Sequence, residues 1–572
     1  MLRLDRRFLA VCSALMLLSG CATADTRGGP ATPPRSALGS YLAAQHAQVA
    51  HDYADAASFL DRALSADSSN YDLIRRTFLL RVSDGRIAEA VPLAQRITEI
   101  DGRSGLAGLV LLEQELKAGK FDDAAKDAQA MPREGAQRFS VPLLLAWSQA
   151  GRGQLGPALQ ALDTMGGGNA GLAPLRDLHA ALIQDFTDHI DEAAAAYTKL
   201  IGGAQPPTWR VAELAGNFFE RHGRAEDARR AYTRSAAENA LTDVATAGIA
   251  RIDKGVIPAR LIANPADGAA EGLFDLAGLL NQRETVDASL VYARLALDLS
   301  PNFALAQMLI AEIRDSQERP ADALALYRAI DSKSPYYWMA QLRAALELDA
   351  LDKTNDAAAQ LKTMAAERPS RAEPLVELGD VLRGHKRFAE AVTAYDTAIA
   401  RTPNPQASDW RLFYSRGVAL ERSNQWPRAE ADLKHALALQ ADQPLVLNYL
   451  GYSWIDKGEN LTEALGMIKR AVELRPNDGY IVDSLGWAYY RTGDFSHAAE
   501  FLERAIELLP EDPTINDHLG DAYWRIGRTA EARYQWRRAL QFLPEPDEVK
   551  GIQVKLDQGL GAVPASTTAR GG

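Results

Sequence analysis

The chain has 572 residues, of which 47% are hydrophobic and 24% are charged, a composition typical of sequences that fold around a core. Its 63 lysines and arginines against 75 aspartates and glutamates give a formal charge of −12, which argues against nucleic acid as a partner. Both cysteines, Cys12 and Cys21, lie near the N-terminus, so disulfides and thiolate metal sites are excluded from the rest of the chain.

Residues 1–20 have the composition of a signal peptide. A basic start precedes the apolar run Phe8–Leu18, which is too short to span a membrane. The letters LSGC, ending at Cys21, resemble the lipobox of bacterial lipoproteins, which implies cleavage before Cys21 and lipidation of its thiol. Two alternatives are cleavage after Ala24, releasing a soluble periplasmic protein, and an uncleaved apolar anchor.

Residues 21–39 form the expected lipidated cysteine and linker, because Gly, Pro, Ser, Thr and Ala dominate there and little can be buried. The residue that follows the cysteine is Ala22 and not aspartate, which resembles the outer-membrane sorting pattern of enteric lipoproteins. The resemblance implies an outer-membrane lipoprotein that faces the periplasm and contacts the membrane through its N-terminal lipid.

From about Ser40 onward, apolar residues recur at helical spacing and strand-like alternation is missing, which predicts an all-α chain. One small residue, nearly always alanine, recurs early in every second predicted helix, mostly at intervals of 34 or 35 residues. These positions are Ala56, Ala90, Ala124, Ala158, Ala193, Ala228, Ser289, Ala323, Ala357, Ala391, Ala429, Ala464, Ala498 and Ala532.

This period of two helices resembles the tetratricopeptide repeat (TPR). The residues that carry the resemblance are Leu485, Gly486, Tyr489, Ala498, Ala505 and Pro510, and then Leu519, Gly520, Tyr523, Ala532, Ala539 and Pro544. The resemblance implies a superhelical solenoid of about 14 helix-turn-helix repeats, with Gly486 and Ala498 where the two helices of a pair cross. Seven glycines are expected to end first helices with a left-handed backbone: Gly85, Gly119, Gly153, Gly223, Gly458, Gly493 and Gly527.

The repeats divide into two predicted arms. Residues 40–240 form a divergent TPR arm, and 269–545 form a well-formed one. Between them, 241–268 is an irregular joint, where an interval of 61 residues breaks the period and Gly and Pro are frequent. Residues 546–572 are expected to be a C-terminal tail. The glycines at 166–168 predict a flexible turn, because the residues that follow lack the Lys-Ser/Thr of a phosphate-binding loop.

Catalytic and metal-binding patterns are missing from the sequence. No two of the nine histidines have the i, i+4 spacing of a helical zinc site, and no GxSxG or Walker motif is found. We therefore expect no enzyme, no cofactor and no metal; an enzyme would require a cofactor site hidden in the divergent arm.

Binding of partner proteins is the function that remains. In tetratricopeptide arrays the first helices line the concave groove, so residues beside their packing positions are candidates for contacting a partner. The candidates are Arg411, Tyr414, Glu421, Asn448, Tyr452, Ile455, Tyr480, Asp483, Trp487, Tyr490, Asp517, Asp521 and Trp524. Asn448, Asp483 and Asp517 occupy equivalent places and predict a polar ladder that bonds an extended backbone. The alternative is that the aromatic residues pack between repeats and the carboxylates form a solvated face.

The lipobox, the linker and the C-terminal repeats together resemble a family of bacterial tetratricopeptide lipoproteins. A characterised type of member is an outer-membrane adaptor that binds a periplasmic carboxy-terminal processing protease and brings it cell-wall hydrolases. The resemblance implies a scaffold for a protease and its substrates. The alternatives are a scaffold for an envelope assembly or secretion machine (pilus, polysaccharide or outer-membrane protein biogenesis) and a cytoplasmic adaptor whose N-terminus merely resembles a signal.

Overall fold

The structure is a computed structural model that describes residues 36–102, 104–165, 170–203, 205–236 and 243–561. The predicted signal peptide, the lipidation of Cys21 and most of the linker lie outside these residues. The predicted turn at 166–168 and the last part of the predicted tail lie outside them as well.

Every regular element of the described residues is helical, which confirms the predicted all-α fold. The first fifteen α-helices are α1 (Ala37–Val49), α2 (Tyr53–Ala66), α3 (Tyr71–Asp84), α4 (Ile87–Ile100), α5 (Gly105–Lys117), α6 (Phe121–Ala130), α7 (Gln137–Gly151), α8 (Leu155–Asp163), α9 (Ala173–Phe186), α10 (Ile190–Ile201), α11 (Trp209–Arg221), α12 (Ala225–Ala236), α13 (Val244–Asp253), α14 (Pro265–Leu280) and α15 (Val286–Leu299).

The remaining fifteen follow without a break in the described chain. They are α16 (Ala304–Ser316), α17 (Pro320–Arg328), α18 (Tyr337–Ala350), α19 (Thr354–Glu367), α20 (Glu373–Gly384), α21 (Phe388–Ala400), α22 (Trp410–Arg422), α23 (Trp426–Leu439), α24 (Pro444–Lys457), α25 (Leu461–Leu474), α26 (Gly479–Thr492), α27 (Phe495–Leu508), α28 (Pro513–Arg525), α29 (Thr529–Gln541) and α30 (Pro546–Gln558).

Fourteen helix pairs in the described residues reproduce the predicted period, and within that part of the chain no second helix follows α13 or α30. The recurring small residue of the second helix, from Ala56 to Ala532, is 0% exposed in all fourteen pairs. The facing residue of the first helix is equally confined: a Cβ added at Gly486 would lie 2.6 Å from Leu502 Cγ. The period therefore exists because each pair of helices crosses with closely approaching backbones.

The turn is left-handed after thirteen of the fourteen first helices, the exception being α14, which is followed by Asn281 with φ −76°. All seven predicted glycines have positive φ, for example +90° at Gly85 and +88° at Gly493. Other first helices end in the same conformation without glycine, at His51, Asp188, Glu318, Asp352, Lys386 and Asn424. A left-handed non-glycine residue costs about 1–2 kcal/mol, so helix packing, rather than the local sequence, imposes the turn at these positions.

The helices form two compact units, each built from two separate stretches of chain. Unit 1 contains the described residues up to Tyr197 together with Ile262–Pro301, and unit 2 contains Thr198–Leu261 and the described residues from Asn302. The predicted arms, 40–240 and 269–545, are instead consecutive in the sequence. The difference arises at the predicted joint, which contains α13, an irregular segment and the start of α14.

In unit 1 the pair α14–α15 does not continue the solenoid. It packs instead across the first helices α3, α5, α7 and α9. We call α14 and α15 the hairpin. The face that the sequence analysis assigns to partners is therefore covered in unit 1 by another part of the same chain.

Unit 2 contains α11–α13 and α16–α30. Asp243, at the start of α13, accepts hydrogen bonds from Arg368 (2.7 Å) and Arg371 (3.1 Å), and Tyr336 donates to Glu213 of α11. These contacts attach α11 and α13 to the beginnings of α18 and α20. Helix α30, within the predicted tail, packs on α29 in the place of a further first helix.

Candidate partner-binding site

Each first helix presents two side chains beside its crossing position, and we call them floor residues. The crossing residue is the residue of the first helix that lies against the second helix of the pair. The floor residues lie three residues before it and one residue after it, so they are one helical turn apart on the same side of the first helix. In α26 the crossing residue is Gly486 and the floor residues are Asp483 and Trp487. In α7 the crossing residue is Ala146 and the floor residues are Leu143 and Trp147.

The floor of unit 1 is mainly apolar and is covered by the hairpin. Floor residues at most 5% exposed include Leu109, Leu143, Trp147, Leu178 and Leu182. Gly268 and Gly272 lie one turn apart on α14 and allow the closest approach. A Cβ at Gly268 would be 2.3 Å from the ring of Trp147, and one at Gly272 would be 1.9 Å from Leu143 Cδ2. Larger side chains at these two glycines would overpack the contact.

A buried chain of hydrogen bonds also joins the hairpin to the floor. Trp147 Nε1 donates to His179 Nδ1 at 3.1 Å, and His179 Nε2 lies 3.2 Å from Asp275 Oδ2 of α14. A neutral imidazole with its proton on Nε2 satisfies both bonds. The indole N–H of Trp147 and both ring nitrogens of His179 are thereby paired, which a buried indole N–H and imidazole require.

Asp298 of α15 ties the hairpin to α5. Its carboxylate accepts from Gln114 Nε2 at 2.8 Å and pairs with Lys117 Nζ at 2.7 Å. Burial, and then the charge of Asp298, raise the pKa of Glu113 well above its ordinary value. The hairpin is thus fixed by apolar packing and by polar contacts, and the floor of unit 1 beneath it is not available to a partner.

The floor of unit 2 has a different chemistry, beginning with α22. Arg411 is exposed, and its guanidinium lies 5.0 Å from the centre of the Trp410 ring. Tyr414 is half-buried against Tyr449, with ring centres 5.9 Å apart, and burial raises the pKa of Tyr414. Glu421 accepts a hydrogen bond from Tyr449 at 3.1 Å. The predicted residues of α22 therefore combine surface exposure with packing between neighbouring repeats.

Helix α24 presents Asn448 and Tyr452, both half-buried. Burial, and then the carboxylates of Asp483 and Asp456, raise the pKa of Tyr452 to about 12, so its hydroxyl stays protonated at neutral pH. Ile455, also expected to face the groove, is 0% exposed and lies in the hydrophobic core. That expectation is wrong, because the side chain of Ile455 fills space between helices.

Helix α26 carries an aromatic stack. The ring of Trp487 lies 4.8 Å from that of Tyr490 and 4.1 Å from that of His518, nearly parallel to both. His518 Nδ1 is 2.9 Å from Asp483 Oδ1. Burial disfavours the imidazolium, but the carboxylates of Asp483, Asp517 and Asp521 outweigh it and raise the pKa of His518. Tyr480, on the same helix, is 54% exposed.

The predicted residues of α28 contact the end of the chain. Lys555 Nζ of α30 lies 2.7 Å from Asp517 and 2.9 Å from Asp521. Trp524 Nε1 donates to the carbonyl of Leu560 at 3.1 Å. The open floor of unit 2 therefore extends over α22, α24 and α26, whereas that of α28 is engaged by α30 and the residues after it.

Three predicted floor residues contain an enclosed polar atom that makes no hydrogen bond within the described chain. These atoms are Asn448 Oδ1, Trp487 Nε1 and Asp517 Oδ1. They come from consecutive first helices and alternate as acceptor, donor and acceptor. Unpaired enclosed polar atoms are costly in a folded protein, so these three atoms mark unused hydrogen-bonding capacity. Asn448 and Asp517 are rungs of the predicted ladder, whereas its middle rung, Asp483, is bonded to His518.

Sequence reasoning missed His518 and Lys555. The tail was not counted as a further repeat, although Lys555 lies 34 residues after Asp521, one full period later. His518 could have been found by comparing tryptophans, because Trp147 and Trp487 are each followed about 30 residues later by a histidine, His179 and His518. His518 is paired with the carboxylate of Asp483, and Lys555 with that of Asp517, so neither carboxylate is left unpaired in the floor of unit 2.

Two further features of the described residues concern metal ions and membranes. Within the described residues, no group of three or more His, Cys, Asp or Glu side chains is arranged to hold a metal ion. No helix in the same part of the chain has both the length and the apolar character needed to cross a membrane.

Comparison with known proteins identifies the repeats. The tetratricopeptide repeat family model matches residues 342–405, 414–479 and 484–546. TPR repeat-containing protein PA4667 of Pseudomonas aeruginosa is 28% identical over 193 residues, 34% of this chain and 32% of that protein. Human tetratricopeptide repeat protein 13 is 28% identical over 130 residues, 23% of this chain and 14% of its own length. The chain thus spans about a third or less of these relatives.

Solved structures that the chain resembles include one chain of the APC/C hetero-tetramer Cut9-Hcn1, with 14% identity, 91% of this chain and 96% of that one covered, and a TM-score of 0.40. A tetratricopeptide repeat protein from Parabacteroides merdae has 13% identity, covers 44% of this chain and 97% of its own, and has a TM-score of 0.36. The family match covers three stretches of unit 2, and the described helix pairs outside them have the same two-helix period.

Proposed function

We propose that unit 2 binds extended segments of partner proteins along the floor of α22, α24 and α26, and that the chain is a non-catalytic scaffold of the bacterial envelope. The observation that carries this proposal is the contrast between the two floors. Where the chain covers its own first helices with a hairpin, the floor is mainly apolar; in α24 and α26 of unit 2 the same positions hold Asn448, Tyr452, Asp483 and Trp487.

The unpaired polar atoms favour an extended partner over a helix. A helix satisfies its own backbone hydrogen bonds, whereas an extended segment offers an N–H or C=O at every step of about 3.3 Å. Tyr490 also stacks on Trp487, so a helix cannot approach that indole as closely as α14 approaches Trp147. Asn448 and Trp487 are only half-buried, and small rotations of their side chains direct the unpaired atoms toward a bound segment.

The resemblance of the N-terminus to lipoproteins supports a finer proposal. The scaffold is anchored to the outer membrane through Cys21, faces the periplasm, and is an adaptor that holds a periplasmic carboxy-terminal processing protease and cell-wall hydrolases. A scaffold for an envelope assembly or secretion machine is the alternative, and the partners captured in cells distinguish the two.

The test is site-specific photo-crosslinking in cells. A photo-reactive phenylalanine analogue replaces Tyr480, which is 54% exposed on α26, or Tyr534, which is 65% exposed on the second helix α29. We expect partner proteins to be captured from Tyr480 and not from the matched control. A protease with hydrolases among the captured proteins supports the adaptor, and components of an assembly machine support the alternative. Equal capture at the two positions contradicts the groove.

The membrane anchor has its own test. Radiolabelled palmitate should be incorporated into the chain in a bacterial host, and Cys21→Ser should abolish incorporation. A wild-type chain that incorporates no label would refute the lipoprotein proposal and leave the binding groove unaffected.

A further inference from the structure

A cavity of about 350 Å³ lies within unit 1, between α15 and the first helices of the solenoid. Its apolar wall includes Leu79 and Leu80 of α3, Leu106 of α5, and Val291 and Tyr292 of α15, and the polar side chains of Gln48, Ser83 and Gln137 also line it. The volume is within the range of pockets that hold small molecules, roughly 300–1,000 Å³. The cavity is therefore large enough for a ligand and not merely a packing defect.

Leu79 shows that the wall is incompletely covered. It is the floor residue that follows the crossing residue of α3, the position that Trp147 occupies in α7. Trp147 is 0% exposed beneath the hairpin, whereas Leu79 is 40% exposed. An apolar floor position is thus present at α3, but the hairpin does not cover it. A water molecule beside Leu79 makes few hydrogen bonds, because the side chains of the apolar wall offer it few polar partners.

One end of the cavity is polar and carries a negative charge. Tyr53, which is 6% exposed, donates from its hydroxyl to Asp287 Oδ1 at 3.3 Å, and His51 Nδ1 lies 3.2 Å from the same hydroxyl. Asp287 is exposed at the first turn of α15, and no ion pair found in the described part of the chain includes it. The rim therefore offers a carboxylate without a cationic partner beside an apolar wall.

We propose that this cavity binds a small amphiphilic cation. The apolar chain or ring of the ligand packs against Leu79, Leu106 and Val291, and its ammonium or guanidinium group lies at the rim beside Asp287. Burial of the apolar part supplies most of the affinity, and the charge of Asp287 selects the head group. The inference concerns unit 1 alone and does not depend on the proposed groove of unit 2.

The test compares three probes of equal chain length: n-octylamine, 1-octanol and octanoate. Each is titrated below its micelle-forming concentration into the full chain, and heat release or probe resonances are followed. We expect saturable binding in the order amine, alcohol, carboxylate, with an amine-to-octanoate preference of about five- to tenfold, since an exposed charge pair contributes at most about 1 kcal/mol. Absence of saturable binding, or tighter binding of octanoate than of the amine, overturns the proposal.

Two substitutions locate the site. Asp287→Asn should remove the preference for the amine, whereas Glu284→Gln, an exposed carboxylate in the loop before α15 that does not line the cavity, should leave it unchanged. Ala288→Phe should fill the cavity and abolish binding of all three probes. Leu79→Ala, which leaves α15 intact, should weaken all three without altering their order. Unchanged binding in Ala288→Phe would place the probes elsewhere and contradict the assignment.

Discussion

Trp147 in unit 1 and Trp487 in unit 2 occupy the same position of the repeat, one residue after the crossing residue. In both units the next first helix places a histidine beside the indole, His179 or His518. Trp147 is 0% exposed and donates its N–H to His179, whereas the N–H of Trp487 has no partner in the described chain.

The residue three positions later explains much of the difference. In α7 it is Ala150, which leaves the face of Trp147 open to Gly268 of the hairpin. In α26 it is Tyr490, which stacks on Trp487 and takes that place. One repeat position thus serves as the core of one unit and as the surface of the other, depending on whether the chain covers it.

The largest expected effect comes from truncating the two tryptophans. Trp147→Ala should lower the free energy of unfolding of unit 1 by about 3–5 kcal/mol, because it removes a fully buried indole. Trp487→Ala should cost unit 2 only about 1–2 kcal/mol, chiefly through the lost ring stacking. Urea unfolding with hydrogen exchange resolved by unit measures both. Equal losses would contradict the assignment of Trp487 to a surface.

Two glycines of α14 test the close contact that makes unit 1 different. Gly268→Ala should destabilise unit 1 by about 1–3 kcal/mol, since its Cβ would lie 2.3 Å from the ring of Trp147. Gly278→Ala is the matched control on the same helix: nothing lies within 4 Å, and better helix propensity should stabilise by up to about 1 kcal/mol. A stabilising Gly268→Ala would show that the hairpin is not held against the floor.

The left-handed turns provide a smaller comparison between the units. Gly85→Ala and Gly493→Ala should each cost about 1–2 kcal/mol, because alanine resists a φ near +90°. A Cβ at Gly85 would also come within 3.2 Å of Arg294 of the hairpin, whereas one at Gly493 meets nothing within 4 Å. Thermal unfolding should therefore show a slightly larger loss for Gly85→Ala, by a few tenths of a kcal/mol, since the arginine can move.

The smallest effect is a dependence on pH in unit 2. The folded-state pKa of His518 is raised above its ordinary value of 6.5, so its stabilising contribution is complete below about pH 6.5 and is lost as the pH rises through the folded pKa. Stability of the repeats around α28 should decline over that interval. His518→Gln should reduce the slope, and His46→Gln, an exposed histidine of α1, should not. An unchanged slope in His518→Gln would refute the assignment.

Much of the fold could be predicted from the sequence, because helix crossing depends on local residue size. A small residue such as Ala498 occupies the crossing position of all fourteen second helices, and the spacing of such residues along the chain reveals the pairs. Seven left-handed turns were predictable for the same reason, since glycine is the residue that adopts them at least cost.

The position of the hairpin could not be predicted in the same way. Gly268 lies at the end of the predicted irregular joint, whereas in the structure it is a contact residue against Trp147, and Gly272 of the same helix contacts Leu143. The floor residues of α5, α7 and α9 are largely apolar, because a surface that is covered by the same chain need not be polar. The pairing of α14 with α7 joins residues more than 100 positions apart, and no local pattern encodes it.

In unit 2, the exposed residues of the candidate site were predictable from the repeat register, but their contacts were not. Asp483 was expected as a free rung of a ladder and is 7% exposed beside His518. Asp517 was expected to be free and is paired with Lys555. In each case the partner comes from the next first helix, so its contribution depends on packing between repeats.

The chain passes between the units three times, at Tyr197–Thr198, Leu261–Ile262 and Pro301–Asn302. No single cut can therefore yield two complete units. A fragment ending at Leu261 would retain the solenoid of unit 1 without its hairpin, leaving Leu143 and Trp147 open to solvent and to self-association. Fragments for binding studies should instead contain both stretches of a unit, joined after the intervening stretch is removed. Weak expression of an N-terminal fragment would reflect its missing hairpin and not its function.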